Sequence, residues 1–187
     1  MKIVIHMILT LSIIGIISGG LLSWVNEWAE PKIAEHRRAE TERAIFLVQP
    51  VAKSYEKVEG IDFELYKVFD EKKNSMGYSL VYEGNGFQGK IRLIVGLKED
   101  VSEIIGFEIL EQSETPGLGT KVTEEPFKKQ FINLQTTPQI NYVKGVAPSK
   151  PNEIQAITGA TISSKSVVAI INNGLMRLRE LQKRGSL

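Results

Sequence analysis

At 187 residues, 42% of them hydrophobic, the chain is long enough for one packed domain with segments to spare. Its 23 lysines and arginines against 22 acidic residues leave a net charge of +1, which argues against nucleic acid as a partner. It has no cysteine, so disulfides and thiolate metal sites are excluded, while either side of a membrane remains open to it.

The first segment is apolar. Residues 3–26 carry no charged side chain and are almost all aliphatic, Gly or Ser. About 20 such residues span a bilayer core as a helix. Trp24 and Trp28, one turn apart, suit the membrane interface. Lys2 is the lone early cation and no small-x-small cleavage site follows Gly19-Gly20, so a retained anchor over residues 1–28 is expected rather than a cleaved signal. Residues 29–50 read as a helical stalk. Pro31 is placed to start a second helix, and Arg37, Arg38 and Arg43 interleave with Glu35, Glu40 and Glu42 as a solvated face. The mixed charges flanking the apolar run leave its orientation open.

Residues 51–187 form the body. Ile61, Phe63 and Leu65 alternate with Asp62, Glu64 and Tyr66, the period of a half-buried strand. Further strands are expected over residues 77–82, 90–97 and 104–110, the last with Ile105, Phe107 and Ile109 on one face. Short turns separate them at Lys72-Lys73-Asn74, Gly84-Asn85-Gly86 and Lys98-Glu99-Asp100, which predicts antiparallel hairpins. A helix is expected over residues 124–133, capped by Thr123, with Pro126 in its first turn and Phe127, Phe131 and Leu134 on one side. A weak strand follows over residues 140–146. A last helix over residues 163–183 carries Val167, Val168, Ile171, Leu175 and Leu178 as its buried stripe, despite Gly174. The fold class is α+β: a mainly antiparallel sheet with a few packed helices behind an N-terminal transmembrane helix and stalk.

Several motifs bear on chemistry. Gly84-Asn85-Gly86-Phe87-Gln88-Gly89 matches the spacing of a dinucleotide-binding loop, but a strand follows instead of a helix, so it reads as a hairpin turn. His6 lies in the apolar segment and His36 in the charged stalk, neither with catalytic partners, and two histidines without cysteine leave little for a metal. The polypeptide offers no catalytic constellation of its own. Two segments remain. Glu114-Thr115-Pro116-Gly117-Leu118-Gly119-Thr120-Lys121 joins a strand to a helix, first of all as a turn. Thr158-Gly159-Ala160-Thr161-Ile162-Ser163-Ser164 sets hydroxyls and small residues at the start of the last helix, where free N–H groups and the helix dipole favour an anion. By chemistry alone a simple helix cap is the better explanation of that second segment.

Thr158-Gly159-Ala160-Thr161, with Glu114-Thr115-Pro116-Gly117-Leu118-Gly119 ahead of it and an apolar anchor ahead of both, resembles the FMN-binding domain family. That family includes the G subunit of Rnf-type ion-translocating oxidoreductases, nearer in length, and the C subunit of sodium-translocating NADH:quinone reductase. The resemblance implies a flavoprotein carrying FMN as a phosphoester on Thr161. It implies cofactor contacts from Glu114, Thr115, Gly117, Leu118, Gly119, Lys121, Thr158, Gly159, Ala160, Ser163 and Ser164, and places Phe87 near the flavin. Gln155 and Gln112 stand where the family usually has aspartate and histidine. Implied partners are other membrane and redox subunits, the lipid bilayer and a flavin transferase that uses a divalent metal. The implied location is the cell inner (cytoplasmic) membrane, with the soluble domain extracytoplasmic. The rival expectations are another membrane-tethered flavin reductase and a non-redox binding module.

Overall fold

The computed structural model describes residues 2–185. The chain divides into two compact units, Met1–Glu40 and Thr41–Leu187. The first unit is helical throughout its described length, as the start of α1 (Lys2–Val48). By length and composition this helix can cross a membrane, and its apolar side chains are exposed along that stretch. Pro31 lies inside α1 and does not open a second helix. Its missing N–H forfeits one intrahelical bond, a local loss that the long run on both sides absorbs.

The second unit is built on a five-stranded antiparallel sheet. Its strands are β1 (Ser54–Lys57), β2 (Glu64–Phe69), β3 (Ser75–Asn85), β4 (Lys90–Lys98) and β5 (Ile104–Gln112), laid side by side in chain order. Strand β4, between β3 and β5, is buried on both faces. Ile91, Leu93, Val95 and Leu97 point to one apolar cluster and Ile94 to another. The first cluster lies under α3 (Thr161–Arg184), which contributes Val167, Ile171, Leu175 and Leu178. Burying each such side chain stabilises the fold by roughly 1.5–3 kcal/mol. Gly174 permits this packing, since a Cβ there would stand 2.9 Å from Leu80 Cδ2. The second cluster takes the last turns of α1, where Thr41, Ala44, Ile45 and Val48 recur at helical spacing. Gly96 and Gly106, opposite each other on β4 and β5, let the Val48 backbone rest directly on the sheet. Gln49 locks that end by donating to the carbonyls of Tyr78 and Leu97 at 3.1 and 3.0 Å.

Some local expectations require correction. Residues 61–63 are bends, and the strand begins only at Glu64. β1 has no alternating burial that would announce it. The predicted helix over residues 124–133 shrinks to α2 (Glu125–Lys128) followed by a 3-10 turn (Lys129–Phe131). Asn133 N and Leu134 O pair with the backbone of Ile104 at 2.9 and 3.0 Å, which pulls the chain out of helix. The predicted apolar spacing nevertheless packs: Phe131 lies 4.3 Å from Phe107 and 5.3 Å from Phe127, centroid to centroid. Thr123 does not cap α2, because its hydroxyl donates to Thr120 O. The weak strand reduces to β6 (Asn141–Val143), which pairs in parallel with β7 (Glu153–Gln155).

Candidate functional site

A chain reversal at residues 156–160 brings β7 to the start of α3. Gly159 adopts φ +85, a left-handed conformation that a side chain would strain. Ala160 is the N-cap residue, and no side chain caps the helix. The first intrahelical bond runs from Ser164 N to Ala160 O at 3.0 Å. The N–H groups of the first turn thus lie ahead of that bond with no capping side chain, the arrangement that favours an anion.

The hydroxyls of the motif divide sharply. Ser163 and Ser164 are buried, at 2% and 0% exposure. Ser163 Oγ donates to the Glu114 carboxylate, while Ser164 Oγ donates to Ala160 O and accepts from Ile157 N, both at 3.0 Å. Thr161 is half-buried at the first position of α3, and Thr158 is exposed. Both line a cavity of about 500 Å³. A cavity of this size suits a cofactor-sized ligand.

Of the other expected site residues, Thr115, Leu118, Gly119, Gly159, Ala160 and Ser163 line the same cavity. Residues 114–121 therefore converge with residues 158–163, although more than 35 residues of chain separate the segments. Gly117, Lys121 and Ser164 do not line it. Phe87, on the turn between β3 and β4, forms part of the wall. Phe87, Leu118 and Ile162 are large hydrophobics left 63%, 49% and 54% exposed around one hollow. Lys144 and Gly145, just beyond β6, complete the lining and carry no sequence signal of that role. Only the parallel pairing of β6 with β7 brings that loop to the helix start, so no local pattern announces it. Among the described residues, Lys144 is the only charged side chain lining the cavity.

Glu114 sits behind this wall, 4% exposed. Its Oε1 accepts from Phe87 N and Gln88 N at 2.9 and 3.1 Å, and its Oε2 accepts from Ser163. Burial is the largest influence on this carboxyl and pushes its pKa up. The hydrogen bonds from Ser163 and from the N–H groups of Gln88, Phe87 and Gly89 together outweigh burial, so the net shift is downward and the group is a carboxylate. Gln112 Oε1 accepts from Glu114 N at 2.6 Å and fixes the adjoining backbone. Among the described residues, no group of three or more His, Cys, Asp or Glu side chains is placed to hold a metal ion.

Residues 86–176, which include every cavity-lining residue named above, match the family model described as FMN-binding domain. The G subunit of the ion-translocating oxidoreductase complex of Methanosarcina acetivorans is 29% identical over 176 residues, covering 90% of each chain. The G subunit of the Na(+)-translocating ferredoxin:NAD(+) oxidoreductase complex of Acetobacterium woodii is 34% identical over 123 residues, 64% of this chain and 58% of that one. Among solved structures, the C subunit of the Na(+)-translocating NADH-quinone reductase of Parabacteroides distasonis aligns over 76% of this chain and 92% of its own, with a TM-score of 0.61 and 20% identity. That last likeness shows the shared fold. Matched segment and relatives agree: over residues 86–176 the chain is similar to the FMN-binding domain family.

Proposed function

We propose that this chain is a membrane-anchored flavoprotein subunit that holds FMN through a phosphoester on Thr161 and relays electrons between partner subunits of an ion-translocating oxidoreductase. The observation that carries this reading is the division of hydroxyls. Ser163 and Ser164 are buried with their hydroxyls engaged, whereas Thr161 is half-buried and lines the cavity at an uncapped helix start. The lining suits the cofactor at both ends. Uncapped backbone amides and Lys144 favour a phosphate, while Phe87, Leu118 and Ile162 supply an apolar surface for a planar ring system.

FMN would supply the one- and two-electron chemistry that the side chains lack. The chain's own part is to bind, orient and retain. Thr161 Oγ1 would be the group that holds the cofactor, losing its proton on bonding to phosphorus. A flavin dinucleotide donor balances that step, because a nucleoside monophosphate leaves. Among the residues lining the cavity none is a strong base poised to take that proton, which supports the need for a separate flavin transferase. We further assign residues 1–28 as the bilayer anchor, 29–50 as a stalk whose last turns from Thr41 pack into the following domain, and 51–187 as the flavin domain on the extracytoplasmic side. A covalent bond there prevents loss of a cofactor that could not be replaced. Names of the related subunits support the assembly into a larger redox complex.

The test is to purify the chain after expression with and without a flavin transferase, denature it, and follow flavin fluorescence. Fluorescence is expected to stay with the polypeptide only in the first case and to vanish in Thr161→Ala, with the fold unchanged by circular dichroism. Retained flavin in that variant would refute the attachment site.

A further inference from the structure

We propose that Glu114 is a positioning residue for the flavin: its buried carboxylate ties the turn that carries Phe87 to the helix start that carries Thr161. The proposal rests on reading the cavity as the FMN site. It assigns Glu114 a task other than contact with the cofactor, since both its oxygens are already engaged within the protein.

Three segments meet on this one side chain. Residues 86–89 lie 25 to 28 positions before it and Ser163 lies 49 after it. Space for the carboxylate is made by glycines. A Cβ on Gly86 would collide with Glu114 Oε1, and one on Gly119 would stand 2.7 Å from Glu114 Cβ and 2.8 Å from Ser163 Oγ. Hydrogen bonds to an ionised acceptor are stronger than neutral ones, which suits a joint that must hold a loop. The loop's ends are held by the pairing of Asn85 with Lys90, and within it stand the bond from Gly86 N to Gly89 O at 2.7 Å and that from Thr115 Oγ1 to Gln88 Oε1 at 2.9 Å. The Phe87 ring itself is largely exposed and packs into no core cluster. Its place beside the cavity is therefore set by its backbone, whose N–H groups at the tip, those of Phe87 and Gln88, both donate to Glu114. Thr161 needs no such help, because the helix determines its position. Loss of Glu114 should loosen the ring's surroundings and leave the attachment hydroxyl in place.

The full chain, co-expressed with a flavin transferase, decides this as wild type, Glu114→Ala, Glu114→Gln and Ser163→Ala. Intact mass reads attachment; fluorescence anisotropy and visible circular dichroism read immobilisation of the ring. Glu114→Ala is expected to keep the FMN adduct while losing at least half of the visible dichroism, with lower anisotropy. Glu114→Gln should retain most of both signals, because an amide oxygen still accepts from Phe87 and Gln88 and the amide N–H can donate to Ser163. Ser163→Ala should fall between. Wild-type ring signals in Glu114→Ala would overturn the proposal. Should that variant fail to fold, unchanged ring signals in Ser163→Ala overturn it instead. If the wild type itself takes up no FMN, the cofactor reading fails separately, and the clamp is read in the unloaded chain. There, amide hydrogen exchange at Phe87 and Gln88 should be at least tenfold faster in Glu114→Ala than in wild type, and equal rates in those two would refute the clamp.

Discussion

Among the described residues of the second unit, a pair of hollows of nearly equal volume, about 530 and 500 Å³, differ in what lines them. Seven charged side chains line the larger one. Many of these answer one another: Arg92 pairs with Glu64 at 3.1 Å, and Arg177 with Asp62 at 2.6 Å while lying 5.8 Å from the centre of the Phe63 ring. The smaller hollow has, among the described residues, one charged side chain, Lys144, set among hydroxyls, uncapped helix amides and exposed apolar groups. Volume alone does not mark a binding site. What marks it is polar capacity that the protein leaves unused, next to apolar surface that it leaves uncovered.

That contrast can be broken by substitution. The largest effect is expected from Thr161→Ala in the smaller hollow: complete loss of covalent flavin by intact mass, against an unchanged thermal midpoint. Next, Lys144→Glu replaces the one cation that lines this hollow among the described residues with an anion. The initial rate of flavin attachment should fall roughly tenfold, and by less in Lys144→Ala, since each charge-assisted contact to a phosphate is lost or reversed. Equal rates in all three proteins would remove Lys144 from the site.

A third, smaller effect depends on pH. The folded pKa of Glu114 lies below its ordinary value of 4.5, so its stabilising contribution is present above that value. It is lost as pH falls through the folded pKa, because the unfolded chain then binds the proton more readily. The gap in thermal midpoint between wild type and Glu114→Gln should therefore narrow from about pH 7 toward about pH 3 in calorimetry. Parallel curves would show that the carboxylate is not held ionised by its partners. The smallest effect belongs to the larger hollow. Arg177→Ala breaks an exposed pair and should shift the thermal midpoint by under about 2 °C, with flavin attachment unaffected.

Much of this architecture is legible in the order of the amino acids. β3, β4 and β5 advertise themselves through apolar runs between short turns, and α3 through its stripe from Val167 to Leu178. The site is legible where it is local: Thr158, Gly159, Ala160 and Thr161 adjoin in sequence and adjoin in the cavity. Elements whose burial comes from distant pairing are not legible. β1 is a short, mostly exposed strand, and β7 is three residues long. Lys144 reaches the cavity only through the pairing of β6 with β7. Glu114 stands out as a member of the site but not by direction, since the partners that turn it inward are Phe87, Gln88 and Ser163. Likewise, Ser163 and Ser164 look equivalent to Thr161 as hydroxyls, and only packing separates them.

The most direct test of the whole account is tandem mass spectrometry of the peptide containing residues 158–165, taken from the protein in its native membrane. The account predicts one FMN group, bound through phosphate and located at Thr161. An unmodified peptide in that material, or the group located at Ser163 or Ser164, would contradict it.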